Sequence, residues 1–236
     1  MKSDSFVSVV LVSERSLAEE VEVLRRIQLE LDQHYSDYEI VVVGQGTARA
    51  FAPSDERVLQ QVPSVRFIQL ASRVQSDVAW AAALENAIGD FIVMFNSAMD
   101  PVAVISDTVA LCKSGFDVVV GVADQSRTLA YRLCRSMADG VLKLVDYALP
   151  RGATGLRCLS RRAVNSVTSA GRFRYQLSMR IQKTGYPQTA YRYTLLTGTQ
   201  TVKPRTLAKG VSDLLRLMVF NSSRPLRWMS GVGLLG

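Results

Sequence analysis

Short apolar runs alternate with helical patterns over the first 122 residues, and this alternation constrains the fold more than any other feature. The runs are rich in Val and Ile and carry few polar positions, as expected for strands that are buried on both faces. Strands that alternate with helices favour a mostly parallel α/β sheet flanked by helices. We predict strands at residues 6–12, 38–43, 65–70, 91–95 and 116–122, and helices at 17–33, 77–88 and 102–112.

The loop after the fourth predicted strand is the main candidate for a ligand site, because ligands of open α/β sheets bind beside the carboxyl ends of the strands. It reads N-S-A-M-D from residue 96 to residue 100, and a proline follows. Positions 96 and 97 offer neutral oxygens, and position 98 offers none, so no strong metal ligand lies next to the strand. Asp100 is then either a weak metal ligand or, more simply, a cap of the loop.

Composition limits the chemistry that is available to the chain. A hydrophobic share of 48% over 236 residues indicates one folded domain with a full core. The single histidine, His34, lies in a polar run, which argues against a histidine base, a zinc site or a serine triad. Cys112, Cys134 and Cys158 are widely spaced and match no ligand pattern, so we expect buried thiols in a reducing compartment.

Charge is distributed unevenly along the chain. Residues 151–236 carry fifteen Lys or Arg and one acid, a net charge of +14, whereas the first 150 residues carry −7. A basic segment of this kind suits phospholipid head groups, a phosphate-bearing substrate or nucleic acid. A solvated basic face is the simpler alternative. Nucleic acid is the weakest of these options, since no stacking platform or recognisable motif accompanies the charge.

Residues 206–220 form the most amphipathic predicted helix of the chain. It either docks on its own domain or lies on a membrane surface, and interfacial Arg and Trp residues after it favour the membrane. No run of about 18 apolar residues occurs, so we expect no bilayer-spanning helix in this sequence. The predicted membrane contacts are Leu214, Leu215, Met218, Arg224, Arg227 and Trp228.

Six segments in this order resemble family 2 glycosyltransferases of GT-A fold, in particular polyprenyl-phosphate sugar transferases similar to dolichol-phosphate mannose synthase. They are VSVVL (7–11), YEIVVV (38–43), ASR (71–73), GDFIVMF (89–95), LRCLSRR (156–162) and NSSRPLR (221–227). The resemblance covers nearly the whole chain. It implies a GT-A-like domain at 1–204 and a basic amphipathic juxtamembrane segment at 205–236.

The resemblance also assigns candidate site residues. The donor-site positions that it implies are Ser13, Glu14, Gly44, Gln45, Arg73, Asn96, Ser97, Ala98 and Asp100. The candidate phosphate or acceptor residues are Arg157, Arg161 and Arg162. If they converge, the arginines of both sets provide positive charge for a metal-free route of transfer.

The carboxylates of the family pattern are replaced in this chain. Residues 44–47 read G-Q-G-T where the family has Asp-Asp-Gly-Ser, and residues 96–98 read N-S-A where it has Asp-x-Asp. The early Pro-x-Tyr-Asn-Glu is shortened to V-S-E at residues 12–14, and the acceptor segment reads G-L-R at residues 155–157 without its usual Asp. Metal-dependent sugar transfer is therefore expected to be impaired. We expect no cofactor, with Mg²⁺ or Mn²⁺ used only if Asp100 suffices as a ligand.

Two functions of different class remain open at this stage. As an enzyme of cell-envelope or lipid-linked sugar assembly, the chain transfers a sugar from a nucleotide donor to an anionic lipid such as a polyprenyl phosphate. As a pseudoenzyme, it is a scaffold, a partner of an active glycosyltransferase or a binder of lipid-linked glycan, alone or as a homo-oligomer. Either function places it at the cytoplasmic face of a membrane, as a peripheral protein or as part of a longer membrane protein.

Overall fold

The computed structural model describes residues 2–45, 53–123, 150, 152–169 and 177–196. These residues form a seven-stranded sheet in the order β3-β2-β1-β4-β6-β5-β7. The strands are β1 Val7–Ser13, β2 Tyr38–Gly44, β3 Val65–Gln69, β4 Phe91–Met94, β5 Val118–Ala123, β6 Ala153–Ser160 and β7 Gln188–Tyr193.

Six of the seven strands run in one direction, as the predicted mostly parallel sheet requires. β1 pairs with β2 and β4 in parallel, β2 pairs with β3 in parallel, and β7 pairs with β5 in parallel. β1, β2 and β5 are buried along almost their whole length, because helices cover both faces of the sheet. The predicted fold class is therefore confirmed.

β6 is the exception, since it runs antiparallel between β4 and β5. Phe91 at the start of β4 lies opposite Ser160 at the end of β6, and Met94 lies opposite Arg157. The residues of β6 before Arg157 therefore extend beyond the carboxyl end of β4. The residues that follow β6 lie at the other edge, beside the amino ends of the parallel strands.

The helices of the described residues pack as one layer on each face of the sheet. They are α1 Leu17–His34, α2 Pro53–Gln61, α3 Ser76–Asn86, α4 Val104–Lys113, α5 Arg161–Thr168 and α6 Leu177–Gln182. Apolar residues of α1, α2 and α4 form the core on one face, and those of α3, α5 and α6 form it on the other. Three alanines of α3 are fully buried, so this small-faced helix lies close to β1 and β2, which it contacts.

Two of the three cysteines lie in the core. Cys112 on α4 and Cys158 on β6 are buried free thiols whose Sγ atoms are 3.4 Å apart. Burial is the main cause that raises the pKa of the Cys158 thiol. Cys134 lies outside the described residues.

The described residues belong to one compact unit. The predicted helix at 206–220 and the segment 205–236 lie outside them, and so does the predicted domain boundary near residue 204. Within the described ranges, no helix combines the length and the apolar character that crossing a bilayer requires.

Candidate functional site

The order of the strands reverses between β1 and β4, and ligands of open α/β sheets bind at such a switch point, outside the carboxyl ends of the strands. Ser13, Gly44 and Gln69, the last residues of β1, β2 and β3, lie side by side at this edge. The structure brings the predicted donor-site positions to this edge, on the ends of β1 and β2 and on the loops after β1 to β4.

The loop 96–100, which follows β4, is a closed turn. The side-chain oxygen of Asn96 accepts the backbone N–H of Ala98 at 3.0 Å. The backbone N–H of Asn96 donates to Oδ2 of Asp100 at 2.9 Å, and the N–H of Asp100 donates back to the Asn96 carbonyl at 2.9 Å. The side chains at positions 96 and 100 therefore shape the loop itself.

Asp100 is also tied to β7. Asp100 is 2% exposed, and its Oδ1 accepts a hydrogen bond from the hydroxyl of Tyr193. The same hydroxyl oxygen lies 2.8 Å from Oγ1 of Thr154, within hydrogen-bond distance. Burial raises the pKa of Asp100, although its hydrogen bonds and the nearby charge of Arg157 oppose that change. A second contact fixes the loop, since the N–H of Leu196 donates to the Met99 carbonyl at 3.0 Å.

The described residues of this loop do not fit a divalent cation. Hard cations such as Mg²⁺ and Mn²⁺ prefer several oxygens, above all those of carboxylates. The Asn96 side-chain oxygen and both oxygens of Asp100 already accept hydrogen bonds, and Ala98 offers none. Across the described ranges, no group of three or more His, Cys, Asp or Glu is placed to hold a metal ion.

The space beside Gly44 is closed to a larger side chain. A Cβ atom at this position would lie 2.8 Å from Cζ of Phe67 and 2.9 Å from Oε1 of Gln69. The Gln69 amide lies along the same backbone, where its Nε2 donates to the carbonyls of Gly44 and Leu70 at 3.4 Å and 3.1 Å. An aspartate at residue 44 would therefore require Phe67 and Gln69 to move.

The remaining polar residues at this edge connect neighbouring loops. The Ser13 hydroxyl donates to the buried carboxylate of Glu20 at 2.9 Å, which fixes the start of α1 to β1. Gln45 is 7% exposed, and its Oε1 accepts the N–H of Val74 at 3.4 Å. Arg73 donates from Nη2 to Oε1 of Glu14 at 2.5 Å, an ion pair on the outside of the edge.

The structure separates the three predicted phosphate or acceptor arginines. Arg157 lies at the candidate edge and is 9% exposed, and its Nη1 donates to the carbonyls of Thr154 and Leu156 at 2.7 Å each. Arg161 and Arg162 follow β6 and lie at the opposite edge. Residues 90 and 96 lie at the two edges, at the start and the end of the extended chain that contains β4. They are six residues apart, so the two edges are about 20 Å apart.

Arg161 and Arg162 have structural partners at that opposite edge. Arg161 donates from Nε to the Gly89 carbonyl at 2.8 Å and from Nη2 to the Ala87 carbonyl at 2.9 Å. Arg162 forms a two-pronged ion pair with the buried carboxylate of Asp117, whose pKa is lowered chiefly by these hydrogen bonds. The convergence that a metal-free route with all four arginines requires is therefore not met by Arg161 and Arg162, which lie at the edge opposite the donor-site positions.

Several residues that contribute to this edge are not predicted as site residues from the sequence. Glu20 reaches it from α1, seven residues after Ser13. The others reach it through pairings between distant segments and are Thr154, Tyr193, Phe67 and Gln69. Only Tyr193 carried a local signal, as an aromatic residue in an alternating run. The predicted membrane contacts at residues 214–228 lie outside the described residues.

Known structures resemble this chain in fold. No family model and no curated protein matches the sequence. A mannosyltransferase from Pyrobaculum calidifontis, solved with GDP-mannose and Mn²⁺, aligns with a TM-score of 0.54 and 16% identity. The alignment covers 80% of this chain and 55% of the mannosyltransferase, so the chain spans little more than half of that protein's length.

Two mycobacterial structures align over more of their length. Glucosyl-3-phosphoglycerate synthase from Mycobacterium tuberculosis, solved with Mn²⁺, UDP-glucose and phosphoglyceric acid, gives a TM-score of 0.57 at 14% identity, covering 91% of this chain and 77% of that one. A structure described as a mycobacterial protein gives 0.57 at 15% identity, covering 87% and 69%. The chain therefore has the GT-A fold of nucleotide-sugar glycosyltransferases.

Proposed function

We propose that this chain is a glycosyltransferase-like protein that binds a nucleotide sugar at the carboxyl edge of β1, β2 and β4. The observation that carries the proposal is the position of the predicted donor-site residues, which lie at the switch point of a GT-A fold. The similar mannosyltransferase and glucosyl-3-phosphoglycerate synthase structures contain GDP-mannose and UDP-glucose. These two compounds are therefore the first ligands to test.

We do not propose sugar transfer in which a divalent cation stabilises the diphosphate leaving group. A diphosphate leaving group gains negative charge as the glycosidic bond breaks and needs a positive partner. At the candidate edge, the described cationic side chains among the predicted residues are Arg73 and Arg157. An acceptor that is already a phosphate anion needs little help from a general base.

Calorimetry tests the donor proposal. Titrations with UDP-glucose and GDP-mannose, each with and without Mn²⁺, should show binding of at least one compound with an affinity that Mn²⁺ hardly changes. Binding that requires Mn²⁺ would contradict the metal-independent part, and no binding of either compound would contradict the donor site itself. The matched variant Asn96→Asp/Ala98→Asp adds two carboxylates to the loop and should gain Mn²⁺ affinity.

The second candidate function is a non-catalytic partner of an active glycosyltransferase or a binder of lipid-linked glycan. The part that Asn96 and Asp100 play in shaping the loop favours it, because the Asn96 side-chain oxygen and both Asp100 carboxylate oxygens already accept hydrogen bonds from within the protein. An assay for hydrolysis or transfer of radiolabelled donor distinguishes the two functions. Turnover supports the enzyme, and donor binding without turnover supports the partner.

We further propose that the chain works at the cytoplasmic face of a membrane, in cell-envelope or lipid-linked sugar assembly. The net charge of +14 over residues 151–236 and the apolar face of the predicted helix at 206–220 support this location. Pelleting with anionic vesicles should exceed pelleting with neutral vesicles, and Leu214→Glu or Trp228→Glu should reduce it. Equal retention by neutral vesicles would contradict the electrostatic part of the proposal.

A further inference from the structure

An ion pair crosses the carboxyl end of β2. Glu14 follows β1 directly, and Arg73 lies four residues after β3, while β2 runs between these two strands. Neighbouring strands are about 4.8 Å apart, so the loops that carry the pair start about 10 Å apart. The contact of 2.5 Å between Nη2 of Arg73 and Oε1 of Glu14 closes that gap.

The loops that carry the pair are held together independently of it. The backbone N–H of Gln45 donates to the Ser13 carbonyl at 2.9 Å, and its side-chain Oε1 accepts from Val74 at 3.4 Å. The Leu70 N–H donates to the Gly44 carbonyl at 3.0 Å. These contacts fix both loops to the end of β2, so the ion pair can open while the loops keep their positions.

The ion pair is weak enough for a ligand to displace the Glu14 carboxylate from the Arg73 guanidinium. The side chains of Arg73 and Glu14 are 70% and 55% exposed, and ion pairs with this exposure contribute little to stability. A phosphate oxygen offers the guanidinium a stronger, charge-assisted hydrogen bond, and two such bonds form in parallel where the geometry allows. Among the described residues, Glu14 is the one side-chain partner of Arg73.

We propose that Arg73 binds a phosphate group of the ligand and that the Glu14 carboxylate competes with that phosphate for the guanidinium. The inference rests on the proposed nucleotide-sugar function and adds to it an internal competitor for the anion. Glu14 thereby lowers the affinity of the resting site for any phosphate-bearing ligand. A ligand binds tightly only if its phosphate displaces the carboxylate.

Calorimetry with UDP and GDP, in EDTA and at low ionic strength, tests the competition in the full chain. Glu14→Gln should lower the Kd of the bound nucleotide by up to about fivefold, because the competitor loses its charge. Arg73→Gln should raise the Kd by about tenfold or more. The double variant should behave like Arg73→Gln alone, since Glu14 acts only through Arg73.

Uridine and guanosine, which lack phosphate, provide the second arm of the experiment. Their affinities should be the same in the wild type and in both single variants. Asp37→Asn and Arg26→Gln are matched controls, since they make the same changes of charge at exposed positions outside the candidate site. They should leave the nucleotide Kd within about twofold of the wild type.

Two results would overturn the inference, and they differ in what else they overturn. If UDP or GDP binds but Glu14→Gln changes its Kd no more than Asp37→Asn does, the competition is wrong and the nucleotide site stands. If neither nucleotide binds to any folded variant, the competition and the proposed function are both wrong.

Discussion

The hydroxyl of Tyr193 donates a hydrogen bond to the buried carboxylate of Asp100, across 93 positions of sequence. This contact joins β7 to the loop that follows β4. Two residues earlier on β7, the hydroxyl of Tyr191 donates to Asp107 on α4, and the two tyrosine rings stack with centroids 6.0 Å apart. The conformation of the candidate site loop therefore depends on a strand that is distant in sequence.

Tyr193→Phe should lower the free energy of unfolding by about 1–3 kcal/mol, because it leaves one oxygen of a buried carboxylate without its donor. Urea unfolding measures the change. Tyr191→Phe is the matched control, and it should cost under about 1 kcal/mol because its partner Asp107 is exposed. Equal losses in the two variants would show that burial of Asp100 does not set the cost.

Gly44→Ala should destabilise the fold by about 1–3 kcal/mol, since its methyl group would lie 2.8 Å from the ring of Phe67. Gly155→Ala is the control, because a Cβ atom there meets no atom within 4 Å. Adding Phe67→Leu to Gly44→Ala should recover part of the loss. A Gly44→Ala variant as stable as the wild type would mean that the space beside β2 is open.

Arg161→Met should lower the free energy of unfolding by about 2 kcal/mol, because the carbonyls of Ala87 and Gly89 lose a charged donor. Its effect on the Kd of UDP or GDP should be negligible, since Arg161 lies at the edge opposite the candidate site. Urea unfolding and calorimetry measure the two effects separately. Weaker nucleotide binding by a stable variant would show that Arg161 contributes to the nucleotide site.

Arg162→Gln should change how stability depends on pH. Hydrogen bonds from Arg162 lower the pKa of Asp117 below its ordinary 3.8, so the native state favours the ionised carboxylate. That stabilisation is present above the unfolded pKa and is lost as the pH falls through the folded one. The variant should therefore be less stable than the wild type near neutral pH, and the difference should shrink below about pH 4.

Urea unfolding of both proteins between about pH 7 and about pH 3 provides the comparison. Arg26→Gln, which removes an exposed arginine from α1, is the control for net charge. A constant difference between Arg162→Gln and the wild type over the whole range would show that Asp117 is not the group concerned.

The sequence alone is sufficient to predict β1 to β5, which are five of the six strands that run in one direction. The apolar runs that form β1 to β5 carry few polar positions and are bounded by turn residues, so their hydrophobic pattern locates them within one or two residues. α2 was missed, because its nine residues contain only two apolar positions, Val58 and Leu59. Such a short helix gives little periodic signal.

The position of β6 could not be predicted in the same way. Residues 156–162 were matched as a motif, but nothing local indicates that the strand enters antiparallel between β4 and β5. That pairing places Arg157 at the candidate edge and Arg161 at the opposite one. A long-range strand pairing thus places two arginines that are four residues apart in the motif at opposite edges of the sheet. Single-sequence patterns contain no information about such a pairing.

The two tyrosines of β7 also determine how this part of the molecule opens. Local opening of β7 must release Asp100 and Asp107 together, so we expect the strand and the loop 96–100 to exchange their amide hydrogens as one cooperative unit. A ligand that holds the loop closed would then slow hydrogen exchange along β7 as well. Ligand binding at the candidate site would therefore be detected as slower amide hydrogen exchange in β7, the strand at the far end of the sheet.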